Sequence, residues 1–345
     1  MATIAHSREH LMDLLSTDRV RMIAHYPIDV MLSPGRYFAY SDCDERVALE
    51  AGLVTRLIER TGVEELRGAL AEPAGISMGL SRFHTAWRNM LWWDGTRPDP
   101  PQLQDAWLRQ SAVVRLVSKT DAGAEVVLAA KTGHNGVSHN HNDVGHFVIH
   151  ADGETLLCDP EKGLYDLYRR HGHDANLFAN SIGHSVPKIG DTPQSKGAEF
   201  GGKILTCDTT DDKKRIAMDM AGAYHGVSLE SLQRTLTLNG GDIVFEDRFD
   251  FSAEDQPVEE AFVTWLEPVI DAATARISGA RHQLELEILE PAGATWSVQA
   301  FAEESLANNK KETLKRLTFT LAAGTNAAKV RLRVSELAPE ERANA

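Results

Sequence analysis

The chain has 345 residues, of which 42% are hydrophobic and 25% charged, the proportions of a folded globular protein rather than a disordered one. Its 36 basic and 50 acidic residues leave a net charge of −14, with no basic footprint for nucleic acid. Three cysteines at wide spacing (Cys43, Cys158, Cys207) exclude a disulfide framework or a cysteine-based zinc motif. No apolar run approaches the roughly 20 residues that span a bilayer, and residues 1–10 lack the continuous apolar core of an export signal.

The first hundred residues read as helical. Val47, Ala51, Val54 and Ile58 recur at spacings of four and three, which marks one face of a helix with Gly62 as its stop. Leu80, Phe83, Trp87 and Met90 repeat the pattern up to Asp94-Gly95, and Glu72-Pro73-Ala74-Gly75 is a connector between the two. Asp42 and Asp44, following Ser41, read as helix N-cap residues. Residues 94–101, with three prolines and a glycine, read as a domain boundary.

Beyond residue 111 the period shortens to that of β-strands. Runs at 112–117, 125–130, 145–150, 155–158 and 216–220 come first. Two more, 232–238 and 243–249, flank Asn239-Gly240-Gly241-Asp242, a strong hairpin signal. Further runs at 261–266, 284–288, 296–300, 317–321 and 330–334 predict a large antiparallel sandwich. The expected organisation is a helical region over 1–98, a β-sandwich over 105–336 and a polar tail over 337–345.

Eight of the 14 histidines fall within residues 134–184, centred on Ser138-His139-Asn140-His141-Asn142-Asp143. Asp159-Pro160 and Asn180-Ser181-Ile182-Gly183-His184 follow. Imidazole nitrogens and carboxylate oxygens are the donors that zinc and similar divalent ions take up, and histidine exchanges protons near neutral pH. On a strand, His139, His141 and Asp143 would share a face. A two-residue turn at Asp152-Gly153 would pair Asp159 with His146, so His141 reaches the same face only through a bulge, for which Gly145 is a natural site.

Asp143 suits a partner that fixes a histidine tautomer, and His146 is a reserve ligand. His171 and His173 read as solvated loop residues, and Cys158 as core. The alternative is that these polar groups are simply satisfied inside a β core.

The stretch from Gly133 to Asp143, continued by Gly153-Glu154-Thr155-Leu156-Leu157-Cys158-Asp159-Pro160, Tyr165 and residues 180–184, resembles the β-domain core of the heparinase II/III-like polysaccharide lyases. The resemblance covers residues 105–240 well. It implies an α+β multidomain chain: a short N-terminal remnant of an α/α toroid, then a large antiparallel β-sandwich. It also implies that His141, Asp159 and His184 hold a largely structural zinc ion, that His139 faces substrate beside the metal, and that Tyr165, with Tyr168 as the alternative, lines the cleft. Arg169 and Arg170 are candidates for pairing with carboxylate or sulfate groups.

The implied activity is β-elimination on an acidic, uronate-containing polysaccharide by a carbon–oxygen lyase, without nucleic-acid partners or membrane insertion, in the periplasm or cell envelope. The other reading is a non-catalytic carbohydrate-binding or structural module that retains the metal site. The chain departs from the family at Glu161, where glycine is common, and at Ser185-Val186, where Asn-Thr usually follows the last ligand. The family's principal histidine and tyrosine, carried by the toroid, have no motif match here.

Overall fold

Strand alternation dominates the architecture. The computed structural model describes residues 14–70, 83–210, 213–253 and 255–338. The chain divides into two compact units, one formed by Met1–Tyr37 with Glu45–Gln104 and the other by Phe38–Asp44 with Asp105–Ala345.

In the first unit the helices are Asp18–Asp29, Ala51–Thr61 and Phe83–Trp92, accompanied by a small hairpin of Met31–Ser33 with Arg36–Tyr37. The predicted helix through Val47 starts later than expected, with Glu50 at its N-cap, and ends at Gly62 in the left-handed conformation (φ 73°). Gly62 caps the helix because it carries no Cβ to clash at positive φ. Val54 and Ile58 are buried, as their spacing requires. A Cβ on Gly52 would lie 2.6 Å from the Arg88 carbonyl oxygen, so glycine there permits close helix–helix approach. Residues 72–75 and Leu80 lie outside the described residues. No helix among the described residues is long and apolar enough to cross a membrane.

The second unit holds three sheets, of nine, four and five strands. Leu229–Asn239 and Asp242–Phe251 form the expected hairpin at the centre of the nine-stranded sheet, with Asn239 opposite Asp242. One apolar core joins all three sheets. At its heart Phe147, Phe245 and Phe262, one from each sheet, meet with ring centroids 5.0–5.9 Å apart. The α+β class, with a helical front and an antiparallel β back, is therefore as the pattern predicts.

Local structure adds to or departs from the expected pattern at three points. The 12-residue strand Gly197–Asp208 was not foreseen, because its residues alternate between half-buried and exposed and carry little apolar periodicity. The strand Ala327–Glu336 ends where the expected tail begins, but Leu337, the first residue of that tail, is buried. The Asp152-Gly153 turn pairs Ala151 with Glu154 and His150 with Thr155, as a two-residue turn demands, but the register then slips and Ile149 faces Leu157. A slip within this hairpin therefore adds to the expected bulge at Gly145, where the Lys131 main chain donates to the His146 carbonyl (3.0 Å) and accepts from the Gly145 amide (2.8 Å), with Gly145 at φ 88°.

Candidate metal centre and cleft

His139 and His141 lie on a loop, not on a strand as the alternation suggested. The loop separates the strands Gly133–Asn135 and Phe147–Ala151, and His139 adopts φ 61°. A positive φ in a non-glycine residue is strained and persists only where its surroundings hold it. Here the Asp42 amide donates to the His139 carbonyl (3.1 Å). The loop turns His141 fully inward and leaves the His139 side chain 62% exposed.

His141, Asp143, Asp159 and His184 converge in a buried group whose candidate ligand atoms lie within 4.8 Å of one another. Proton placement makes the group informative. His184 Nδ1 faces the Asn180 carbonyl (2.8 Å) and must donate to it, so Nε2 presents a lone pair. His141 Nε2 faces the Asp42 carboxylate (3.3 Å) and donates there, so Nδ1 presents a lone pair. These two lone-pair nitrogens are 3.2 Å apart, an arrangement that a cation between them relieves. Asp143 Oδ2 and Asp159 Oδ2 are buried beside them without hydrogen-bond partners. The donor set of two imidazoles and carboxylate oxygen suits zinc or a similar divalent ion.

The surrounding bonds orient this set. His146 Nδ1 accepts from the Ser185 amide (3.0 Å), so its proton sits on Nε2, 3.4 Å from Asp159 Oδ2. That tautomer turns an N–H rather than a lone pair towards Asp159, so His146 neighbours the carboxylate without being placed as a ligand. Asp159 Oδ1 accepts from the Glu161 amide (2.7 Å). The Asp143 carboxylate has no histidine partner among the described hydrogen bonds. Its Oδ1 pairs with the buried Lys131 ammonium, and its other oxygen faces the cluster. The tautomer-fixing role expected of Asp143 therefore falls to Asp42 for His141 and to the Asn180 carbonyl for His184.

Burial sets the electrostatics of the cluster. It lowers His184 to about 3, and lowers His141 despite the opposing hydrogen bond to Asp42. Burial, reinforced by the negative charge of Asp143, raises Asp159 well above the usual carboxylate range. Neutral imidazoles beside an Asp159 carboxyl that resists ionising alone are poised for a positive ion.

Next to the cluster opens a cleft of about 530 Å³, lined among others by Asp42, His139, Tyr165, Arg169, His173 and Lys196. Tyr165 starts the helix Tyr165–His171, and its hydroxyl lies 2.8 Å from His139 Nδ1 and donates to Asp42 Oδ2 at 3.0 Å. Tyr168, one turn on, is buried and accepts from the Gly163 amide (2.6 Å). Arg169 is exposed at the cleft wall with Asp166 3.8 Å away; Arg170 is exposed and is not among the lining residues.

Two residues at this site were misread from sequence. Asp42 is not a helix cap; its side chain is buried within reach of His139, His141, His173 and Tyr165. His173 is not a solvated loop residue, since its ring packs on Tyr168 (4.4 Å between centroids) and its Nε2 is 3.5 Å from Asp42 Oδ1. Neither carried a signal in sequence, because Asp42 lies 97 positions from His139. Cys158 is core, as its alternation indicated, packed among Leu177, Phe178 and Val263.

Residues 100–340 match the family described as heparinase II/III-like, C-terminal. The chain belongs to this family. No curated protein sequence matches it. Its fold is similar to that of a heparinase III gene product with methylated lysines, with a TM-score of 0.67 at 13% identity over 93% of this chain and 46% of the other. A mutant of the heparan sulfate lyase HepC from Pedobacter heparinus gives a TM-score of 0.66 at 13% identity, covering 93% and 47%. Another heparinase III gives 0.65 at 16% identity, covering 93% and 49%. At such identities the likeness is one of fold, and the chain spans just under half the length of these heparinases. Family membership makes the histidine–aspartate cluster and its cleft the part of the molecule to read for chemistry.

Proposed function

We propose that the chain acts as a polysaccharide lyase, cleaving a uronate-containing polymer by β-elimination, with a divalent ion such as zinc at His141, Asp159 and His184. The observation that carries this reading is the His139–Tyr165 pair, 2.8 Å apart on the wall of an open cleft directly beside the buried cluster. Bound there, zinc would supply fixed positive charge and hold the His141 and His184 segments together, a structural role.

β-Elimination needs a base for the proton alpha to the uronate carboxylate, a group that balances the carboxylate charge, and an acid for the leaving oxygen. His139 has its Nδ1–H directed at Asp42, so Nε2 is free to accept the alpha proton. The electron pair released forms the carbon–carbon double bond as the glycosidic carbon–oxygen bond breaks. Tyr165 gives its proton to the departing oxygen. Partial burial and the nearby Asp42 charge raise its hydroxyl, keeping it protonated as an acid should be. The protonated His139 then returns a proton from Nδ1 to the Tyr165 oxygen across their contact, and the neutral imidazole resets by losing its Nε2 proton to water while Nδ1 takes one up. Arg169, with Arg170 and Lys196 near by, offers positive charge to carboxylate or sulfate groups. An extended acidic polymer as substrate fits a periplasmic or envelope location.

The test is ultraviolet absorbance of unsaturated uronate ends released from heparan sulfate, alginate and related polymers by the zinc-loaded chain. Release that disappears in His139→Ala supports the reading. Tight polymer binding without unsaturated ends would instead favour a carbohydrate-binding module that keeps the metal site.

A further inference from the structure

We propose that Asp42 is a positioning residue that joins the metal centre to the His139–Tyr165 pair, its Oδ1 fixing His141 as an Nδ1 ligand and its Oδ2 fixing His139 with Nε2 open to the cleft. The inference deepens the proposed lyase reading and rests on it.

The carboxylate is placed for this by main-chain as well as side-chain contacts. Asp42 lies in the strap Phe38–Asp44, which belongs to the β unit although the chain on either side of it belongs to the helical unit. The strap is anchored by the Lys162 amide donating to the Cys43 carbonyl (3.0 Å), by the Lys162–Asp44 ion pair, and by the Asp42 amide on the His139 carbonyl. The Asp42 side chain is only 3% exposed.

An ionised carboxylate accepts at about four lone-pair sites, and four groups converge on this one. His141 Nε2 (3.3 Å) and His173 Nε2 (3.5 Å) face Oδ1, while His139 Nδ1 (3.1 Å) and the Tyr165 hydroxyl (3.0 Å) face Oδ2. Metal-bound histidines commonly donate their second ring N–H to a carboxylate, which sets the tautomer and raises ligand basicity. A carboxylate behind a base histidine performs the same service for a proton acceptor. In this chain a single carboxylate does both, so occupancy of the metal centre and alignment of the base share one side chain. The His139 loop, strained at positive φ, is held by the same residue through its amide.

The arrangement has a rival: Asp42, His141 and His173 are themselves close enough to form a second cation site. The carboxylate then would be a ligand, and His141 would have to give up its Nε2 proton.

The experiment uses the full chain and the variants Asp42→Asn and Asp42→Ala, with zinc alone as the probe. Ring-nitrogen NMR of His139 should show the Nδ1–H tautomer in the parent, and a shift towards mixed tautomers in both variants. Competition with a chromophoric chelator should show zinc affinity falling about 10–100-fold, with one zinc per chain throughout. On a cleaved polymer, kcat should fall with little change in KM. Unchanged tautomer and zinc affinity in folded Asp42→Asn would overturn the inference while leaving the lyase reading intact. Two zinc ions per parent chain, dropping to one in the variants, would also overturn it and make Asp42 a ligand. A parent chain that binds no zinc and releases no unsaturated ends would sink the lyase reading and this inference with it.

Discussion

The Nδ1 of His139 and the hydroxyl of Tyr165 are 2.8 Å apart, although the residues are 26 positions apart in the chain. One comes from a loop, the other from the first turn of a short helix, and both contact the same oxygen of Asp42. Groups arranged in this way act as a unit, and their removal should show it.

His139→Ala and Tyr165→Phe should each lower kcat/KM on a cleaved polymer by about 10²–10⁴-fold, the usual worth of a positioned acid or base. The double variant should lose little more than the worse single one, because the pair exchanges a proton as one relay. Steady-state rates for the four proteins check this. Losses that multiply across the double variant would mean the two residues act independently.

Zinc should raise the melting temperature of the parent chain, and a chelator should reverse the gain. At a free concentration of 100 Kd, binding to the native state alone adds about 2.7 kcal/mol. His141→Ala, Asp159→Asn and His184→Ala should abolish the zinc-dependent shift. His146→Gln should weaken it without abolishing it, since His146 lies beside Asp159 but turns an N–H rather than a lone pair towards it. Differential scanning calorimetry with and without zinc distinguishes these outcomes; a full loss in His146→Gln would make that residue a ligand.

Arg234→Met should destabilise the β unit by about 3–5 kcal/mol, the cost of leaving one side of a buried ion pair uncompensated. The fully buried guanidinium bonds Asp247 (2.7 Å), stacks on Phe245, and donates to the carbonyls of Gly145 (2.9 Å) and Ser185 (2.7 Å). Those carbonyls adjoin His146 and His184, so zinc affinity should fall together with stability. Urea unfolding and zinc titration on the same preparation check both effects.

Glu154→Gln should cost about 1 kcal/mol near neutral pH, within the range for hydrogen bonds to charged groups less what the amide oxygen retains. Burial alone would raise Glu154, but amide hydrogen bonds from Arg281 and His282 (both 3.1 Å) outweigh it and leave the group lowered. A carboxylate lowered on folding contributes stability above its unfolded value, which is about 4.3, and loses it as pH falls through the folded value. The difference between parent and variant in urea midpoints should therefore be present at pH 7, shrink as pH falls below about 4.3, and vanish in acid below the lowered folded value. A difference that persists there would assign the effect to packing rather than charge.

Sequence by itself determined the α+β class, the Asn239–Asp242 hairpin, the burial of Cys158 and the family, because each rests on local periodicity, turn chemistry or a contiguous motif. His141, Asp159 and His184 were legible as donors for the same reason, and tertiary structure brings them together. The tertiary structure alone decided how protons are placed on them. The loop conformation at His139, the register slip before Ile149, the tautomer of His146 and the arrival of Asp42 all depend on partners distant in the chain. Neither residue type nor spacing encodes such partners, since a buried carboxylate and an exposed helix cap are the same aspartate until folding selects its neighbours.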